Sequence, residues 1–185
     1  MTKAISTVVA AITMMFAFTA CASSPESSSA GVKEVYEVHE DGRIHVFYNR
    51  KMYQDFLKIG ETPYRLVKIA KGPNKETIVF GLDKKDKKLK KRTKERTGVA
   101  AIDLYDGKAT ADKQFYGEVR KHGRIYVFND FKDMEPVRQF GHPNFFYMEV
   151  ASGPEKETVF YVLNKKTKKK KPLALIDTFK NKNNL

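Results

Sequence analysis

Cys21, the single cysteine, and Ser152, the single serine beyond residue 31, are the side chains to weigh first as covalent nucleophiles. Hydrolytic use of either needs a histidine and an acid brought to it. Ser152 sits in a Ser-Gly-Pro stretch that reads as a turn. Four histidines are available for metals, but they lack ligand spacing. With Asp41-Gly42 as a hairpin turn, His39 pairs with Ile44 and His45 with Val38, so the two rings point to opposite faces of the strands. His122 falls in a turn and His142 in a loop. Asp103 and Asp177, each following an isoleucine, are the best-matched carboxylates, and a structural role is the favoured reading of both. The glycines are isolated and form no phosphate-cradling loop. No metal or diffusible cofactor is expected, and an enzyme would have to assemble Tyr, Asp, Glu and Arg from distant parts of the chain.

Cys21 has a more specific setting. Lys3 precedes an apolar stretch over residues 4–18, interrupted only by Ser6, Thr7 and Thr13, which is the layout of a secretory signal. Such a stretch spans roughly 22 Å as a helix, short of the roughly 30 Å of a bilayer core. The sequence Phe18-Thr19-Ala20-Cys21 that follows resembles the lipobox of bacterial lipoproteins, with Phe18 where an aliphatic residue is usual. The resemblance covers the leader alone. It implies removal of residues 1–20, a diacylglyceryl group on the Cys21 sulfur and an acyl chain such as palmitate on its amine, giving the two or more chains that stable anchoring requires. Ala22, where an Asp would signal inner-membrane retention, implies the periplasmic face of the outer membrane. The mature chain then has no cysteine for a disulfide. Residues 21–32, with Ser23, Ser24, Ser27, Ser28 and Ser29, read as lipidated cysteine plus flexible tether, and ten such residues reach roughly 17 Å.

The elements that position everything else occur twice. Shifted by 81 positions, residues 42–88 align with 123–169 without a gap, and 18 of 47 positions are identical. Ile102-Asp103 then matches Ile176-Asp177 at a shorter offset, because the second copy is shorter in its basic segment. Each copy begins with a strand pair about Asp41-Gly42 or His122-Gly123. In the first copy a helix follows Asn49 and stops at Gly60; in the second, Pro136 requires the helix to start later or be lost. Residues 64–69, 77–82 and 99–105 read as strands. The expected fold is α+β, mainly β: two tandem copies of a ββαβββ module of about 70 residues, small enough to need each other's core and packed as a pseudo-twofold unit. The expected organisation is a signal peptide at 1–20, the tether, repeat 1 at 33–106, a linker at 107–112, repeat 2 at 113–180 and a polar tail at 181–185.

The net charge of +13 is concentrated in two places. Lys84, Lys85, Lys87, Lys88, Lys90, Lys91, Arg92, Lys94 and Arg96 face only Asp86 and Glu95, while Lys165, Lys166, Lys168, Lys169, Lys170 and Lys171 face no acid. The rest of the chain is neutral. Both runs are expected as hairpin tips that bind anions by field and counterion release. Their expected partner is an anionic envelope component: anionic lipid, lipopolysaccharide, peptidoglycan or an acidic protein. Specific nucleic-acid reading is disfavoured, since the runs contain no interleaved aromatics. The plain alternative is a solubility device. Two further functions stay open: a periplasmic enzyme acting on an envelope polymer, and an assembly scaffold using aromatic strands such as Phe145, Phe146 and Tyr147.

Overall fold

The computed structural model describes residues 31–86 and 98–185. The leader, Cys21 and the tether up to residue 30 lie outside the described residues. The chain opens with the antiparallel pair β1 (Val32–Glu40) and β2 (Arg43–Phe47). Asp41 and Gly42 both have positive φ (47° and 69°), the conformation a tight two-residue hairpin turn requires. Val38 faces His45 and His39 faces Ile44, the register expected from the turn. Helix α1 (Arg50–Ile59) is capped by Asn49, whose side chain accepts the Met52 N–H at 2.9 Å, and ends on Gly60 at φ 78°. Strands β3 (Tyr64–Lys68) and β4 (Thr77–Leu82) follow, then helix α2 (Ala100–Tyr105).

The same series of elements recurs over 111–183: β5 (Ala111–Lys121), β6 (Arg124–Phe128), a 3₁₀ turn (Phe131–Met134) running into α3 (Glu135–Phe140), β7 (Phe145–Glu149), β8 (Thr158–Leu163) and α4 (Leu173–Asn183). Pro136 falls in the first turn of α3, where its missing N–H costs nothing, so this helix starts late.

Residues 99–105, expected as a strand, are instead a helix, and so is their counterpart around Ile176. The ββαβββ order is therefore corrected to ββαββα. The β-formers Val99, Ile102 and Tyr105 mislead because Ala100 and Ala101 favour helix and the bare sheet needs a cover. Ala101, Ile102 and Leu104 are buried in that role.

All eight strands form one mixed sheet in the order β3-β4-β2-β1-β5-β6-β8-β7. The central pair β1 and β5 is parallel, as are β2 with β4 and β6 with β8; the other neighbours are antiparallel. Each face carries its own core. On one, α2 and α3 cover Val35, Ile44, Val46, Phe80, Val119 and Phe128, with Ile102, Met134 and Val137 inserted from the helices. On the other, α1 and α4 cover Tyr36, Val38, Phe47, Ile125, Val127 and Tyr161 with Tyr53, Phe56, Ile176 and Phe179. Each face thus takes one helix from before residue 110 and one from after it. Among the described residues no helix is long and apolar enough to cross a membrane.

Candidate functional site

Strand direction decides where the basic segments emerge. β4 and β8 both run opposite to β1 and β5, so they end where β1 begins. Stepping the register from β4 through β2 to β1 puts Leu82 level with Val35. The same walk from β8 through β6 and β5 puts Leu163 level with Glu34. Both basic segments therefore leave the sheet at the end where the chain enters it, about 24 Å apart for five strand spacings, with β1 between them.

The expectation that both are hairpin tips is corrected: one lies between β4 and α2 and the other between β8 and α4. In the first, Lys84 and Lys85 are exposed, and Asp83 accepts the Lys85 and Asp86 N–H groups at 2.7 and 2.8 Å. Asp86 is buried, accepting the Tyr48 hydroxyl and the Asp83 N–H. Lys87, Lys88, Lys90, Lys91, Arg92, Lys94 and Arg96 lie outside the described residues, as does Cys21. In the second, Asn164 takes the part of Asp83, accepting the Lys166 N–H at 3.0 Å. This segment folds back on β7. Lys168 lies 4.6 Å over the Phe145 ring, and Lys171 lies 5.0 Å over Tyr147 and 3.7 Å from Glu149. All six lysines of this segment are exposed, and only Lys168 and Lys171 make these ring contacts.

At the opposite end of the strands, a cleft of about 740 Å³ opens between α2 and α3. Ile44, Ile78, Phe80 and Phe131 line it, with Lys68, Lys71, Asp106 and Glu135 among its polar residues. Beneath them is a buried network. Arg138 Nε donates to Glu37 at 2.7 Å, its Nη2 donates to the Tyr105 hydroxyl at 2.9 Å, and that hydroxyl donates to Glu37. His39 Nε2 lies 2.6 Å from the other Glu37 oxygen. Burial works to raise the Glu37 carboxyl, but the Arg138 charge and the His39 contact outweigh it and hold it at about 2. The guanidinium also lies over the Tyr105 and Phe131 rings, at 4.5 and 4.6 Å. A second fully buried carboxylate, Glu118, sits on the other sheet face, accepting from Tyr116, Tyr53 and Asn183.

Glu37 and Glu118 were not singled out from sequence, although they stand 81 apart and interrupt apolar strands. That interruption was the signal. Asp103 and Asp177 prove to be on helices over opposite faces: Asp103 is buried and accepts the Gly98 N–H at 3.1 Å, and Asp177 is exposed. Ser152 donates to the Glu149 carbonyl at 3.0 Å as a turn residue. His45 packs 4.6 Å from the Phe56 ring, opposite in facing to His39; burial, with Arg43 and Arg65 nearby, lowers its pKa. Among the described residues no group of three His, Cys, Asp or Glu could hold a metal ion. Phe145, Phe146 and Tyr147 occupy the edge strand β7, where Phe146 is half exposed and packs 5.1 Å from Phe160.

The chain matches no family model, no curated protein and no solved structure.

Proposed function

We propose that this chain is a lipid-anchored envelope protein of the binding or structural class, built from a duplicated ββαββα module, which meets an anionic envelope component through its basic segments. The observation that carries this reading is strand polarity: the start of β1, to which a tether from Cys21 would deliver the fold, lies at the same end of the sheet as Lys84, Lys85, Lys165 and Lys166. A short tether therefore holds the basic end towards the surface that carries the lipid.

Duplication is supported by more than sequence identity. Non-glycine residues with positive φ recur in pairs 81 apart: Asp41 and His122 (47° and 53°), Ala70 and Ala151 (55° and 54°), Lys75 and Lys156 (64° and 65°). The ion pair Lys68–Asp106 has a charge-reversed counterpart in Lys180–Glu149. Equivalent residues are 81 apart, whereas β1 pairs with β5 at an offset of 82, Val35 opposite Gly117. One residue of difference turns equivalent side chains to opposite faces, so a pseudo-twofold axis runs along the strands between β1 and β5.

The test of the anchor is intact-mass analysis of the protein purified from membranes. The expected result is loss of residues 1–20 with acyl mass on Cys21, and retention in the membrane fraction that Cys21→Ser abolishes. A mature protein carrying a free Cys21 thiol would overturn the reading.

A further inference from the structure

We infer that the anionic partner of the basic end is the phospholipid bilayer that carries the anchor, with the strands standing on its headgroups and the cleft between α2 and α3 turned away. This rests on the lipoprotein reading above. Charge is distributed unevenly along the strand axis. Lys33, Lys84, Lys85, Lys165, Lys166 and Lys169 are all exposed where β1 begins and β4 and β8 end. Among the acids at that end, Asp83, Asp112 and Asp130 accept backbone N–H groups, Asp86 accepts the Tyr48 hydroxyl, Glu34 pairs with Lys182, and Glu61 is exposed just before β3. The opposite end, formed by the turns that precede β2, β4, β6 and β8, mixes both signs, with Glu40, Asp41, Glu76, Glu155 and Glu157 beside Arg43, Lys71, Lys75, Lys121, Arg124 and Lys156.

Two clusters about 24 Å apart are separated by some three Debye lengths at physiological salt. They act as independent feet on a continuous charged plane, where a compact anion could engage one at a time. A bilayer with anionic headgroups supplies such a plane. A tether averaging roughly 17 Å keeps both feet near it. Each lysine close to an anionic surface strengthens binding roughly fivefold.

The test is lysine footprinting of the full-length gene product, isolated from membranes as the cell processes it and reconstituted into vesicles of phosphatidylcholine alone or with one-third phosphatidylglycerol. A brief treatment with an amine-acylating reagent is followed by digestion and mass spectrometry. Labelling of Lys165, Lys166 and Lys169 is expected to fall at least fivefold in the anionic vesicles and to recover at 1 M salt, while Lys75 and Lys156 label equally in both. In the variant Lys165→Glu, Lys166→Glu, Lys169→Glu, the reporter Lys33 is expected to lose its protection. Equal labelling in both vesicles overturns the inference, as does protection that appears only when lipopolysaccharide or peptidoglycan fragments are added. The same digest reads the Cys21 peptide. Acyl mass without protection defeats this inference alone, and absence of acyl mass defeats the lipoprotein reading. Protection of unlipidated protein on anionic vesicles would still support the surface assigned here.

Discussion

Glu37 and Glu118 occupy matching places in β1 and β5, yet they are balanced differently. Glu37 faces a full positive charge on Arg138. Glu118 accepts from neutral donors, two tyrosines and Asn183, with Arg50 farther off at 3.7 Å. Glu37→Gln leaves the buried guanidinium with only the half-exposed Glu135 carboxylate, 3.4 Å away, as counter-charge, and the expected loss is about 3 kcal/mol in urea unfolding. Adding Arg138→Met should restore much of it, since an apolar side chain of similar length fills the space without a stranded charge. Glu118→Gln keeps an oxygen for Tyr116 and Asn183 but turns an amide N–H towards Tyr53, whose hydroxyl must accept instead of donate, and should cost about 1–2 kcal/mol. Acid behaviour follows from the same residue. The folded Glu37 carboxyl is held at about 2 against an ordinary 4.5, so the unfolded chain binds more protons between those values and stability rises with pH there. The contribution is complete above 4.5 and is lost as the pH falls through 2. Glu37→Gln should flatten the stability profile across that window.

At the level of elements, positions 81 apart in the repeated sequence are not interchangeable. Gly81 lies in β4 where Val162 lies in β8. A Cβ at Gly81 would fall 2.7 Å from the Phe47 ring, and Phe47 is itself locked between Tyr53 and Phe56. Gly81→Val, although it installs the residue found at the matching position, should destabilise the protein by about 1–3 kcal/mol through overpacking. Thermal melts of this variant and of Val162→Ala, which instead trims a buried side chain, would separate the two causes. Helix α1 depends on a smaller contribution, its Asn49 cap, and Asn49→Ala should cost about 1 kcal/mol.

For the whole molecule, the exchange of helices between faces predicts one cooperative unit. Arg138, from after the midpoint of the chain, closes the charge on Glu37 before it, and Tyr53, from before it, donates to Glu118 after it. The β1–β5 pairing joins the two parts through main-chain bonds at the centre of the sheet. Urea unfolding followed by far-UV circular dichroism and by tyrosine fluorescence should give coincident single transitions. Residues 31–109 expressed alone should not fold, because β1 loses its pairing with β5 and the buried Glu37 loses the charge of Arg138. Two separated transitions would contradict this.

The sequence by itself determined what is local: the hairpin register about Asp41-Gly42, the Asn49 and Gly60 ends of α1, the late start of α3 at Pro136, and the repetition that makes 111–183 resemble 32–105. Each depends on backbone preferences within a few residues or on identity at a fixed offset. It left residues 99–105 wrong, since a short segment of mixed propensity takes whichever form the neighbouring surface requires. Only the tertiary structure decided that the sheet is continuous, that Glu37 finds Arg138 at a distance of 101 positions, and that both basic segments leave at the end where β1 begins. Those outcomes depend on strand order and direction, which arise from packing two apolar faces at once and leave no mark at any single position in the chain.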